Sequence, residues 1–267
     1  MISPELREYA ETPDRFAPEG AGVVRHDDGR VCVLVGIGWA SVSAPNVDAD
    51  EVEDLIAYTR QLVPRDTDPM WWLGPSGRPP DIRERLLAAD LVEPRDGVGR
   101  LIAVALTEDP QGTPPGVEVR RVETYEDFVA SREVQWDAFD TRAERREAGR
   151  KRMRADYEGS IASGVPVGFL ATLDGRPAGS AISIPSSRGV LLIAGAVAPW
   201  ARGRGLYRAL VRARWDDAVE RGTPALVSHA NPATSYPILR RLGFEDVCEI
   251  QRVEDVRQSS GSTTPAS

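Results

Sequence analysis

The chain has 267 residues, 41% of them hydrophobic and 28% charged, a composition that predicts a soluble globular protein of one large or two modest domains. No stretch reaches the run of about 20 apolar residues that a membrane-spanning helix needs, and the N-terminus lacks a charged-then-apolar signal pattern, so no membrane partner is expected and the expected compartment is the cytoplasm. The net charge of −8 is uneven: residues 1–114 carry 21 acidic and 11 basic side chains, residues 115–267 carry 20 and 22, and the acidic half argues against nucleic acid as a partner.

The first 22 or so residues are polar, interrupted by Pro4, Pro13 and Pro18, with mixed helical and frayed character. Val31 to Gly38 reads as a buried strand after the Asp-Asp-Gly turn at 27–29. Trp39 to Pro45 reads as a loop. Asp48 to Val63 has helical spacing, with Val52, Leu55, Ile56, Thr59 and Leu62 on one face, an Asp48 or Asp50 cap and a stop at Pro64. Pro69 to Leu73 is a short aromatic strand, Asp81 to Leu91 a helix capped by Asp81, and Leu101 to Leu106 a strand. Thr107 to Gly116 has the Pro, Gly and polar content of a linker. The expected division is therefore an α/β domain over 1–114, a second domain over 115–258 and a disordered Ser/Thr/Gly tail over 259–267.

The second domain opens with a strand, Val117 to Val122, and a helix from Tyr125 to about Asp140 that Thr124 can cap. A charged helix follows over Arg142 to Ser163. Val167–Leu173 and Ala178–Ile184 flank Asp174-Gly175-Arg176, a hairpin signal. Val190 to Ala198 is an apolar strand, Pro199 to Ala201 a short loop, and Arg202-Gly203-Arg204-Gly205 leads into a helix with Leu206, Tyr207, Leu210, Val211 and Trp215 on its apolar side. Ala225 to Ser228 is a strand, Ser235 to Leu242 a short helix that Ser235 can cap, and Phe244 to Val253 the last strand. Cys32 and Cys248 each lie in apolar strand-like runs, giving neither a disulfide framework nor metal-ligand spacing; no metal is expected.

A strand, a glycine-bearing turn and a helix start are what an anion site needs, because the first N–H groups of a helix lack internal partners and glycines let a phosphate approach them. The same residues also suit an ordinary strand-to-helix turn. Neither the Gly-Lys-Ser/Thr of a nucleotide loop nor dinucleotide-type glycine spacing is present.

Ala198 to Leu210 resembles the acyl-CoA signature of the GNAT superfamily of N-acetyltransferases, Gln/Arg-x-x-Gly-x-Gly/Ala, with Arg202 and Gly205 matching and Tyr207 standing where a second Gly or Ala is usual. Arg240-Arg-Leu-Gly-Phe244 resembles the "LGF" that ends the family's fourth helix. The resemblance runs from Val117 to about Arg257 and implies an α/β mixed-sheet, GNAT-like fold there. It also implies acetyl-CoA as cosubstrate and acetyl transfer to an amine of a small molecule or peptide; the alternative is a non-catalytic acyl-CoA-binding module. Gly203, Arg204, Gly205, Leu206, Tyr207 and Arg208 would hold the pyrophosphate, with Arg202 beside them. The backbone of Gly195, Ala196 and Val197 would hold the pantetheine arm, one amide, Val197, facing the thioester oxygen, and Asn231 resembles a cofactor-contacting Asn. Residues 30–106 resemble a degenerate half-repeat that has lost cofactor binding; an unrelated α/β domain is the other reading. The oligomeric state does not follow from the sequence.

Family members often place a tyrosine five residues before the Phe of "LGF" to protonate the departing thiolate; here that position is Leu239. Tyr236, one turn earlier, is the candidate acid, against a packing role. His229, at the end of the fifth strand, is the candidate base, its reference pKa of about 6.5 suiting that task, against a structural role. Glu133, Asp137 and Glu158 are candidates for binding a cationic amine, each otherwise a solvated charge.

Overall fold

The computed structural model describes residues 2–19 and 22–257; the predicted tail lies outside them. In chain order the elements are α1 (Pro4–Glu11), β1 (Val24–Asp27), β2 (Cys32–Gly36), β3 (Trp39–Ser43), α2 (Val52–Leu62), β4 (Met70–Leu73), α3 (Ile82–Ala88) and β5 (Arg100–Leu106). There follow β6 (Val117–Arg121), α4 (Tyr125–Ala138), α5 (Ala143–Ser163), β7 (Val167–Leu173), β8 (Arg176–Ser186) and β9 (Gly189–Val197). The chain closes with α6 (Leu206–Glu220), β10 (Leu226–Ala230), α7 (Tyr236–Arg241) and β11 (Glu245–Glu254).

These elements form two compact units, and neither is a continuous half of the sequence. The first gathers the N-terminal segment with residues 102–248; the second gathers residues 22–101 with the stretch from 249 on. The boundary therefore does not fall at the 107–116 stretch, whose composition pointed to a linker between 114 and 115. That stretch belongs to the first unit, where Arg208 donates to Gln111 Oε1 at 3.0 Å and Arg212 to Asp109 Oδ1 at 2.7 Å.

Strand pairing explains the division. In the first unit the strand order is β6-β7-β8-β9-β10-β5. β6 to β9 are antiparallel neighbours, β9 and β10 are parallel across α6, and β5 closes the set antiparallel to β10, Ala230 opposite Ile102. In the second unit the order is β1-β2-β3-β4-β11. β2 and β3 are an antiparallel hairpin, β3 and β4 are parallel across α2, and β11 closes antiparallel to β4, Glu254 opposite Met70. Both units thus share one sequence of pairings, and each is finished by a strand from the far half of the sequence.

Local chemistry accounts for most boundaries. Ser3 caps α1 and Thr124 caps α4 through their side-chain oxygens. Asp174 and Gly175, at φ 50° and 78°, make the left-handed two-residue turn that a twisted hairpin prefers. Asp81 stands at the start of α3 but pairs with Arg85 rather than capping. Two strands escaped the sequence reading. β1 is a polar edge strand, and β3 occupies the predicted loop because Ile37-Gly38 turns the chain straight back on β2.

In the first unit α6 lays Leu206, Ala209 and Leu210 on Val117, Phe169, Ala171 and Ala178, and Val211, Trp215 and Ala218 on Val190, Leu192, Leu226 and Ala230. That packing fixes the start of α6 at the end of β9. In the second unit Trp71, fully buried, centres the core with Val42, Leu55, Leu86 and Val253.

Candidate active site

β9 ends at Val197, and a 3-10 turn over Pro199–Ala201 brings the chain to Arg202. Gly203 and Gly205 both lie in the left-handed region, at φ 75° and 80°. A Cβ on Gly203 would meet nothing within 4 Å, so the space before it is open; one on Gly205 would strike Pro114 Cγ at 2.5 Å. Gly205 is therefore demanded twice, by its backbone and by the proline that buttresses the turn. The N-terminus of α6 has no side-chain cap, and its first backbone bond among the described residues is Ala209 N–H to Gly205 O at 3.0 Å. The amides of Leu206, Tyr207 and Arg208 are the orphan donors of a 15-residue helix.

The arginines of the signature contribute less. Arg202 donates to Ala138 O, at the end of α4, at 3.3 Å, and Arg208 is engaged by Gln111. Arg204 is exposed. The first two tie neighbouring segments to the turn, leaving the anion-binding capacity with the backbone.

β9 and β10 separate. Their paired residues are Val190 with Leu226 and Leu191 with Val227. At the next step the link is a side chain, Ser228 Oγ donating to Leu192 O at 3.0 Å. Beyond it β9 keeps register with β8 alone: Ile182 faces Ile193, Ser180 faces Ala196 and Gly179 faces Val197. Ala194, at φ 49°, bends the strand there. Ile193 is 39% exposed although it belongs to an interior strand, as expected where two neighbours part. Gly195, Ala196 and Val197 thus offer a free strand edge leading to the uncapped amides. This donor set fits a diphosphate joined to an extended arm carrying amide groups, the chemistry of an acyl-CoA.

On the other side of Ala196 the sheet is locked. Ser180, its cross-strand partner, meets Ser131 Oγ at 2.6 Å and accepts from Gln135 Nε2 at 3.1 Å, all three buried. This polar cluster fixes α4 to β8 and was not found in the sequence, where these residues look like scattered polar positions.

The predicted acid and base are both engaged elsewhere. His229 Nε2 lies 2.8 Å from Ala10 O. A carbonyl only accepts, so Nε2 carries the hydrogen, and the ring anchors the end of α1. Tyr236 donates its hydroxyl to Asp246 Oδ2 at 2.8 Å, and that bond to a carboxylate raises its pKa. Leu239 is fully buried in the core beside Val211 and Trp215. Asn231 uses its side-chain oxygen to accept from Ala233 N–H at 2.8 Å, and its own N–H donates to Ser235 Oγ at 2.9 Å; Ser235 serves this turn rather than capping α7. Of the carboxylates considered for a cationic amine, Glu133 is paired with Arg150 at 3.0 Å and Asp137 with Arg146 at 2.7 Å; Glu158 is exposed.

Tyr207 does not open the turn as a Gly or Ala would. Its ring lies against β9: a Cβ on Gly195 would meet Tyr207 Cε2 at 2.9 Å and its hydroxyl at 3.2 Å.

Solved structures share this architecture. A GCN5-related N-acetyltransferase from Kribbella flavida superposes with a TM-score of 0.67 over 96% of each chain at 18% identity. A tandem GNAT protein from the clavulanic acid biosynthesis pathway gives 0.57 over 94% of this chain and 89% of its own at 15% identity. A GCN5-related N-acetyltransferase-like protein from Streptococcus suis gives 0.53 over 96% and 99% at 13% identity. No family model and no curated protein matches the chain. At these identities the likeness is one of fold: the chain has the mixed α/β fold of GCN5-related N-acetyltransferases.

Proposed function

We propose that this chain is an acyl-CoA-dependent N-acyltransferase that moves an acetyl group from acetyl-CoA directly to an amine of a small molecule or peptide. One observation carries the reading: the uncapped amides of Leu206, Tyr207 and Arg208 at the start of α6 follow, across the Gly203–Gly205 turn, a strand whose edge is free from Ile193 to Val197. Acetyl-CoA supplies the activated acyl group. The amides of Gly203 to Arg208 hold its diphosphate, and the α6 dipole adds to the attraction. The backbone of Gly195, Ala196 and Val197 holds the arm, with one N–H, that of Val197, aimed at the acyl oxygen as charge develops there. Holding acyl group and amine together supplies effective concentration. With His229 Nε2 a donor and the α4 carboxylates paired, the amine enters neutral and sheds its surplus proton to water.

The second unit is, on this reading, a degenerate copy of the same supersecondary plan without a cofactor. No helix among the described residues is long and apolar enough to cross a membrane, and Cys32 and Cys248 are free thiols; we place the protein in the cytoplasm.

Acetyl-CoA binding to the native state should raise the melting temperature, by about 2.7 kcal/mol of added stability at 100 times Kd. Gly205→Glu, which meets both Pro114 and the phosphate turn, should erase that gain. Acetyl-CoA that leaves the wild-type melting temperature unchanged defeats the proposal. Free thiol release above background with a panel of amines establishes transfer; stabilisation without release would instead identify a non-catalytic acyl-CoA-binding module.

A further inference from the structure

Packing decides from which face an amine can reach β9. Val190 and Leu192 turn toward α6, and past the bend Gly195 and Val197 do the same, so α6 fills that side. Ile193 lies on the opposite face by alternation. Ala196 joins it there, because its cross-strand partner Ser180 is bonded to α4. The α4 side is thus left to the amine, beside the cluster of Ser131, Gln135 and Ser180.

A cation stands at the edge of that cluster. Arg132 Nη1 donates to Gln135 Oε1 at 3.4 Å, and Gln135 Nε2 donates to Ser180 Oγ at 3.1 Å. The other polar partner of Arg132 among the described residues is Asp156 of α5, at 3.8 Å. The remaining ion pairs of α4 are tighter: Asp127 with Arg120 at 2.7 Å, Glu133 with Arg150 at 3.0 Å and Asp137 with Arg146 at 2.7 Å. A guanidinium has five donors, and its bond to a carboxylate settles at about 2.7–2.9 Å. Arg132 makes no bond of that length. Nor is it a loose surface residue. Its side chain is 35% exposed, and the Phe128 ring lies 5.4 Å from the guanidinium. Burial pulls its pKa down while Asp156 opposes the pull, yet an arginine stays charged in proteins. A guanidinium held in place with donors to spare suits an anionic ligand.

We infer that Arg132 binds a carboxylate of the acceptor, so that the amine acylated by this chain belongs to an amino acid or a short peptide with a free carboxylate. The inference rests on the acyltransferase reading. A carboxylate fits better than a phosphate monoester, which carries about 1.5 to 2 charges against the single charge of one arginine. A polycationic acceptor finds Glu133 and Asp137 already taken by Arg150 and Arg146. On binding, the guanidinium exchanges its long contact with Asp156 for a bidentate pair with the acceptor, and Gln135 holds it toward the sheet.

Paired probes on the full chain test this: alanine against alaninamide, and dialanine against its C-terminal amide. The ratio of kcat/KM for acid over amide is taken within each pair, and its change on substitution cancels the differing basicity of the amines. Arg132→Gln should lower the ratio about 10- to 100-fold, the worth of a bond between charged groups. Arg132→Lys should recover part, keeping the charge without the fork. Asp156→Asn, which removes the competing carboxylate, should raise the ratio about 2- to 5-fold, a gain that damage to the fold does not give. The pair with the larger ratio tells a free amino acid from a peptide. Calorimetry gives a readout independent of turnover: with CoA present, N-acetylalanine should bind wild type at least tenfold more tightly than its amide, and Arg132→Gln should bind both equally. All variants should keep the rise in melting temperature with acetyl-CoA. A ratio that Arg132→Gln leaves unchanged overturns the inference, and so does a wild type that acetylates spermidine in preference to both acids. Should Arg132→Gln not fold, an unchanged ratio in Asp156→Asn overturns it. Failure of acetyl-CoA to stabilise the wild type overturns the acyltransferase reading itself.

Discussion

The two parallel crossovers of this chain, β9-α6-β10 and β3-α2-β4, use one plan to opposite ends. In the first, the strands part after two paired residues and the helix begins with bare amides. In the second, β3 stays paired with β4 to its last residue, Ser43 opposite Trp72, and an Asn46–Arg78 bridge continues the closure. Its helical start is sealed by a capping box: the Asp48 carboxylate accepts from the third residue's N–H, and Glu51 Oε2 accepts from Asp48 N–H at 2.9 Å. Two carboxylates thus occupy the place where an anion would bind. The fold alone therefore does not leave bare helix amides beside a free strand edge. Glycines in place of an acidic cap, and a strand that bends away at Ala194, do.

The largest effect should come from giving the open crossover the charge of the closed one. Gly203 is the place, since Asp and Asn tolerate its left-handed backbone and the space before it is empty. Gly203→Asp and Gly203→Asn should fold equally well, but charges about 6 Å apart at an effective dielectric near 20 repel by about 3 kcal/mol. The Asp variant should therefore bind acetyl-CoA at least tenfold more weakly than the Asn variant in a calorimetric titration; equal affinities would show that the diphosphate sits elsewhere. The reciprocal change is smaller. Asp48→Ala removes the cap of the closed crossover and should cost about 1 kcal/mol in urea unfolding. The stabilisation by acetyl-CoA should not change, and a change would mean that the second unit also binds it.

Much of this contrast could be read from the sequence. Gly203 and Gly205 marked a glycine-bearing turn into a helix, and Asp48 or Asp50 an N-terminal cap, because both signals are local; that Asp48 is the one used, with Glu51 closing the box, came from the folded chain. β3 was lost because Ser41 and Ser43 are polar yet buried, so the apolar alternation of Ala40 and Val42 did not stand out. The exchange of closing strands was invisible because periodicity shows that Leu101–Leu106 and Phe244–Val253 are strands but not which neighbour each pairs with. His229 and Tyr236 were plausible by type and position, yet their partners, Ala10 O and Asp246, come from segments whose approach only the folded chain reveals. Arg132 was hidden for the opposite reason: among the many charges of α4 and α5 it reads as one more solvated charge.

The exchanged strands themselves differ, and that offers the gentlest test. β5 closes the first unit with apolar residues from Leu101 to Leu106, whereas the end of β11 is clasped by charge. Glu254 accepts from Arg95 N–H at 2.9 Å and Nε–H at 3.0 Å, and its backbone pairs with Val92. Burial pushes the Glu254 carboxyl up, but the bonds from Arg95 outweigh it and hold it below the usual range. A carboxyl with a depressed folded pKa contributes stability above its unfolded value, about 4.3, and loses it as pH falls through the folded value. Because Arg95 is exposed, the contribution is modest, about 1 kcal/mol. Glu254→Gln should lower stability by that amount at pH 7 and flatten the loss of stability between pH 5 and 3. Amide exchange should localise the change to β4 and β11, with the acetyl-CoA effect intact. If the variant kept the wild-type acid slope, the closing strand of the second unit would be held by its apolar side chains, as that of the first unit is.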